Sequence, residues 1–220
     1  MTQRIHAIIE AATLLFLRQG YSKTQISHIA KAVGVSVGTI YHDFVGKKEI
    51  MHFILKCTIQ PSFSAQELEK PISDKHFAGL EQDIVKIFEK SAAEFKEPLF
   101  RKLNNYSFEA LISDAFDLLT RYAVGCLFIE KNQYDFPFLA ENYRKYRKEF
   151  LSTMTEYLKT FMEKGTIREI DNIELTAVLI VETLSWWAMD MRYTSFETND
   201  IPIEAAKKVC MDNIIAAYKR

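Results

Sequence analysis

The sequence predicts an all-α fold: an N-terminal three-helix helix-turn-helix module joined by a connecting helix to a C-terminal helical bundle. Three observations point there. Apolar residues recur at helical spacing along most of the chain, no strand–turn–strand pattern stands out, and the 220 residues include only seven glycines and five prolines. So few chain breakers leave little material for the tight turns of an all-β protein. Hydrophobic residues make up 48% and charged residues 26%, the composition of an ordinary globular protein able to bury a core.

The first helix is expected over residues 3–19, where Ile5, Ile9, Ala12 and Phe16 form a stripe. Gly20 ends it, because glycine tolerates the left-handed backbone that follows a helix. Thr24 offers a capping hydroxyl for a second helix over 25–32, whose inner face is Ile26, Ile29, Ala30 and Val33. Gly34 supplies a turn, Ser36 caps a short helix over 37–44, and Gly46 separates a fourth over 47–57. Pro61, Pro71 and the polar residues between them mark a connection, and the domains are read as 1–46 and 47–220. Further helices are expected over 75–94, 98–104, 106–130, 137–164, 172–193 and 202–219. Pro137 and Pro202 then fall in first turns, where proline is tolerated, Gly165 closes the long helix, and Asp171 or Asn172 caps the next.

Several classes are disfavoured. The amino-terminal apolar stretch is interrupted by Glu10 and lacks a small-residue cleavage site, so it does not read as a signal peptide. The longest apolar stretch, 177–189, contains Glu182 and is too short to span a bilayer. A cytoplasmic protein with no membrane partner is expected. Cys57, Cys126 and Cys210 are far apart and share no metal-ligand spacing, so they read as small hydrophobes, with no metal and no cofactor expected. No phosphate-binding loop, dinucleotide fingerprint, nucleophile elbow or zinc-protease motif occurs, which argues against an enzyme.

The formal net charge of −1 conceals a division. Residues 1–56 hold seven Lys or Arg and three acids, whereas the remainder holds 21 basic and 26 acidic residues. A basic module on an acidic body suits a polyanion partner. Within that module, the second helix, the turn over 33–36 and the short third helix make a helix-turn-helix, which places its second helix in the DNA major groove. Small residues at the leading end of such a helix let the backbone approach, and Val37, Gly38 and Thr39 stand there. Glycine inside a helix otherwise costs about 1 kcal/mol relative to alanine.

Residues 26–44, ISHIAKAVGVSVGTIYHDF, followed by Lys47-Lys48-Glu49-Ile50, resemble the DNA-binding signature of the tetracycline-repressor (TetR) family. Ala11-Ala12, Phe16, Gly20-Tyr21 and Thr24 match that family's first helix and turn, so the resemblance spans about residues 4–56. It implies a homodimeric, ligand-responsive transcriptional regulator, usually a repressor, on double-stranded DNA. It places Thr24 and Lys47 at phosphate contacts, and Ser36, Val37, Gly38, Thr39, Tyr41 and His42 at the start and on the groove-facing side of the recognition helix. Asp43 departs from the pattern: it either reads a cytosine amino group or turns away toward Lys47. Ile40 and Phe44 read as core, and His6, His28 and His52 as surface or packing residues.

A seven-residue recognition helix reaches few base pairs, so a homodimer and a palindromic operator are expected. Ile173, Ala177, Ile180, Leu184, Trp187 and Met191 form a stripe that is either half of a four-helix dimer interface or an ordinary intrachain stripe. Aromatic residues are 13% of the chain. Phe88, Phe95, Phe100, Tyr106, Phe108, Phe116, Tyr122, Phe128, Trp186 and Trp187 are candidates for walls of a cavity that takes a hydrophobic or aromatic small-molecule effector, with core packing as the alternative. The basic, aromatic run Tyr143–Lys148 reads as a solvated helix face.

Overall fold

The computed structural model describes residues 3–196 and 201–220. Among them the regular elements are helices, with only isolated β-bridges at Phe44–Ile72 and Ile167–Lys219. In order they are α1 (Gln3–Arg18), α2 (Ile26–Val33), α3 (Val37–Asp43), α4 (Lys47–Ile59), α5 (Leu80–Phe100), α6 (Phe108–Lys131), α7 (Pro137–Glu163), α8 (Ile173–Ser185), α9 (Met191–Tyr193) and α10 (Ile203–Tyr218). Short 3-10 turns occupy Pro61–Ala65 and Asp74–Phe77.

Three boundaries differ from expectation. Residues 75–94 and 98–104 do not form two helices. One helix, α5, runs through Pro98 and ends two residues later. A proline so near the end removes one backbone hydrogen bond without splitting a long helix. Residues 101–105 instead turn, with Lys102, Leu103 and Asn105 at positive φ. The expected helix over 172–193 is interrupted by a π turn at Trp186–Asp190. The residue that flanks α2 is Gln25, not Thr24, and its N–H donates to His28 Nδ1 at 3.4 Å.

Two compact units make up the chain: Met1–Lys86 with Val124–Ala140, and Ile87–Ala123 with Glu141–Arg220. Helix α4 lies wholly in the first unit, while α5, α6 and α7 each contribute residues to both.

The first unit is built on Ile8, Ala12, Phe16, Ile29, Ile40, Phe44, Ile50 and Phe53, all buried. Phe16, Tyr21, Phe128 and Phe136 form an aromatic cluster, with Tyr21 5.3 Å from both Phe16 and Phe136. The Tyr21 N–H donates to Asn132 Oδ1 at 2.6 Å, and the Asn132 amide donates to Phe128 O at 2.8 Å. The turn between α1 and α2 is thereby fixed to the segment joining α6 and α7.

In the second unit, Phe95 packs on Phe150 at 4.6 Å and on Tyr157 at 5.5 Å, and the Tyr157 hydroxyl donates to Phe95 O at 2.6 Å. Phe108 packs on Phe161 and Tyr218. The stripe considered for a dimer interface turns inward. Ile173, Ala177, Ile180 and Leu184 are buried within this chain, and Trp187 and Met191 are half-buried. Helix α8 also leaves apolar side chains in solvent: Leu175, Val178 and Leu179, beside the acids Glu174 and Glu182, followed by Trp186 on the π turn.

Candidate nucleic-acid interface

The turn between α2 and α3 follows from Gly34, whose φ of 77° is the left-handed region. Its N–H donates to Lys31 O at 3.3 Å and the next N–H, of Val35, reaches Ala30 O at 3.0 Å, closing the end of α2. Ser36 caps α3: its Oγ accepts from the Thr39 N–H at 3.1 Å and lies 2.9 Å from the Thr39 hydroxyl. Ile40 and Phe44 are fully buried and orient the short helix. The opposite face is left to solvent. Ser36, Val37, Gly38, Tyr41 and His42 are exposed, Tyr41 by 50%, and Thr39 is half-buried. A Cβ added at Gly38 would meet only Ser36 Oγ, at an ordinary 3.7 Å. Nothing inside the protein requires glycine there.

The two expected phosphate contacts have structural duties. Thr24 is fully buried. Its hydroxyl donates to Gly20 O at 2.8 Å and accepts from Gln19 Nε2 at 3.0 Å, while its N–H donates to Tyr21 O at 3.1 Å. Both groups that would have met a phosphate are engaged within the turn. Lys47, the first residue of α4, donates from Nζ to Tyr21 O at 2.8 Å and to Thr24 O at 2.9 Å, and sits 4.2 Å from the centre of the Tyr21 ring. One of its three N–H bonds remains for a phosphate. Burial lowers the pKa of this ammonium, against an opposing pull from Asp135.

Asp43 neither faces outward nor turns toward Lys47. It is fully buried, and Arg4 grips it in bidentate fashion, Nε to Oδ2 at 2.6 Å and Nη2 to Oδ1 at 2.8 Å. Lys70 Nζ donates to Oδ1 at 2.8 Å, and His42 Nδ1 lies 3.3 Å from the same oxygen. Burial alone would push the Asp43 carboxyl up, but the hydrogen bonds from Arg4, Lys70 and His42 outweigh it and hold it well below the usual carboxylate range.

Residues 8–53 match the family described as "Bacterial regulatory proteins, tetR family". The helix-turn-helix module is similar to that family over these residues. A stretch of 54 residues is 48% identical to the HTH-type transcriptional regulator HbdR of Aromatoleum sp. (strain CIB). That stretch spans 24% of this chain and 24% of HbdR, so the chain covers about a quarter of that regulator's length. The fold extends further. The ketosteroid transcriptional regulator KstR2 of Mycobacterium tuberculosis superposes with a TM-score of 0.56 at 14% identity, covering 100% of this chain and 97% of that one. The probable transcriptional regulatory protein RHA5900 gives a TM-score of 0.53 at 15% identity, covering 96% and 97%. The chain thus shares its all-α fold with these two regulators over nearly its whole length.

Residues that sequence reasoning did not single out hold the helix-turn-helix module together: Arg4, Lys70 and Asn132. None belongs to the helix-turn-helix motif, and each acts on it from another part of the chain.

Outside the module, the expected aromatic walls are mostly packed or exposed. Phe88 stacks on Tyr146 at 5.2 Å, Phe108 and Phe116 are fully buried, Phe128 belongs to the cluster around Tyr21, and Phe100 is 75% exposed. Tyr122 and Trp187 are half-buried, and Trp186 is exposed. Phe95 and Tyr106 do line a cleft, of about 230 Å³, with Ser91, Pro98 and Leu118, and with Glu94, Asp114, Asp117 and Arg121 around them. The Tyr106 hydroxyl donates to Asp114 Oδ2 at 2.9 Å, and Lys207 Nζ donates to both oxygens of Asp117.

Proposed function

We propose that the chain is a ligand-responsive transcriptional regulator: a homodimer that represses by occupying a palindromic operator in double-stranded DNA and is released by a small-molecule effector. Residues 1–46 supply the DNA contacts and residues 47–220 the dimer and effector functions, in the cytoplasm. None of the described helices is long and apolar enough to cross a membrane. The observation that carries the reading is the solvent face of α3. Ile40 and Phe44 pin one side of the helix, and the other offers Val37, Gly38, Thr39, Tyr41 and His42, with a glycine where the fold has room for a side chain. Thr39 and His42 suit base edges or phosphate, and Tyr41 suits phosphate and sugar. In a mobility-shift assay on DNA flanking the chain's own coding region, with random duplex as competitor, wild type is expected to form a specific complex. Tyr41→Ala should weaken it by about tenfold while the helical circular-dichroism signal stays unchanged. Equal binding by both proteins would refute the role of α3.

Two such modules need a two-fold axis. The apolar side chains left exposed on α8 and its π turn favour that surface. Leu175 is 66% and Leu179 60% exposed, and Val178 and Trp186 extend the same side. Val209 on α10 is also exposed. Burying them between two copies would form a helical bundle at the interface. Leu179→Glu is expected to convert the dimer to a monomer in analytical ultracentrifugation and to abolish specific DNA binding. A variant that remains dimeric would remove α8 from the interface.

The cleft lined by Phe95, Tyr106, Asp114 and Arg121 supports a small effector that pairs an apolar body with polar or charged groups, in place of a wholly hydrophobic one. For release, the effector must bind the DNA-free state more tightly, and about 1.4 kcal/mol of difference gives a tenfold change in operator affinity.

A further inference from the structure

We propose that Lys70, on the segment between α4 and α5, positions the recognition helix for DNA through Asp43, so that operator affinity depends on a residue outside the helix-turn-helix. The inference rests on the DNA-binding reading above. Asp43 is the last residue of α3, and its buried carboxylate joins three parts of the chain: Arg4 from α1, Lys70 from the α4–α5 segment, and His42 from α3 itself. The backbone repeats the connection. The Ile72 N–H donates to Asp43 O at 2.8 Å, and the Val45 N–H donates to Ile72 O at 3.0 Å. Residues 70–72 therefore hold the end of α3 by one charged and two backbone hydrogen bonds.

Residues 66–72 face an open cleft on one side. Gln66, Glu67, Leu68, Lys70 and Ile72 border a cleft of about 360 Å³ whose other walls are Ile5 and Phe53. The polar contacts at 70–72 and the buried Ile72 side chain hold this segment to the end of α3. A buried carboxylate tolerates few arrangements, because it must keep its cations to offset desolvation. Its bond to Lys70 consequently restrains the end of α3, and with it the aim of Tyr41 and His42, which precede Asp43 directly. His42 gains a second restraint, since its Nδ1 faces Asp43 and its Nε2 is the nitrogen left for an outside contact.

The test uses the full chain and the duplex that wild type enriches most strongly from a random-sequence pool, with affinity read by fluorescence anisotropy over a salt series. Lys70→Met keeps the aliphatic stem and removes the ammonium, while Arg4 still engages Asp43, so the variant is expected to stay folded. Its affinity for the selected duplex should fall about tenfold. The slope of log affinity against log salt should not change, whereas losing a phosphate contact would reduce it by about 0.9. Lys70→Arg should restore most of the affinity, and Lys70→Met should add no further loss in an Asp43→Asn background. Wild-type affinity in Lys70→Met, a reduced salt slope, or an unfolded variant would each overturn the positioning role. If wild type enriches no duplex at all, the DNA-binding reading itself fails and this inference falls with it.

Discussion

Removing both cations from Asp43, with Arg4→Gln and Lys70→Met together, is expected to destabilise the chain by about 3–5 kcal/mol at neutral pH, because it leaves a buried carboxylate without a compensating charge. Asp43 is fully buried, whereas Arg4 and Lys70 are each partly in water, so the burden falls on the acid. Adding Asp43→Asn to the double variant should recover most of the loss in a urea titration, since the neutral amide no longer needs a cation. A triple variant no more stable than the double would mean that lost packing, not the stranded charge, is responsible.

The pH dependence should change sign as well. In the wild type the Asp43 carboxyl is held below its unfolded value by Arg4, Lys70 and His42, against the effect of burial. Its stabilisation is present above about pH 4, where an unfolded aspartate is ionised, and is lost as pH falls through the depressed native value. Without the two cations, burial prevails and raises the native pKa above the unfolded one. The double variant should then gain stability as pH falls toward 4, relative to its own stability at pH 7. Urea midpoints of the double variant between pH 7 and pH 4, and of the wild type extended to about pH 2, check this.

The second large effect is a separation of stability from binding. Gly38→Ala should stabilise the folded chain by about 0.5–1 kcal/mol, because alanine loses less backbone entropy in a helix and the added Cβ meets nothing closer than 3.7 Å. The same methyl should weaken the selected duplex about tenfold or more, since it stands at the leading end of the helix that enters the groove. A binding residue that is suboptimal for the fold is the pattern expected of a functional site. If Gly38→Ala melts higher and binds DNA as well as wild type, the backbone of α3 does not approach the duplex there.

The helical class and the helix-turn-helix were legible because their signals are local. Gly34 and Ser36 act within three residues of themselves, and the Ile29, Ile40 and Phe44 pattern marks one inner face. The Asp43 clamp was not legible, since Arg4 lies 39 residues before Asp43 and Lys70 27 after it. Lys47, the nearer lysine, answers two backbone carbonyls in place of the acid. The face of α8 was equally hidden. Ile173, Ala177 and Ile180 alternate with Leu175, Val178 and Leu179, so periodicity yields two apolar stripes and cannot say which one the chain keeps for itself. Aromatic content failed for a related reason. Phe88, Phe95 and Phe108 have the same side chain, and only their neighbours, Tyr146, Tyr157 and Phe161, decide whether a ring fills space or borders it.

The central claim is that the exposed face of α3 reads double-stranded DNA as one half of a symmetric pair. Selection of duplexes from a random pool by the full chain, followed by sequencing, tests it most directly. The account predicts enrichment of an inverted repeat whose half-sites lie about one helical turn, or a multiple of it, apart, and loss of that enrichment with Tyr41→Ala. A pool that stays random, or an enriched site that Tyr41→Ala still selects, would contradict it.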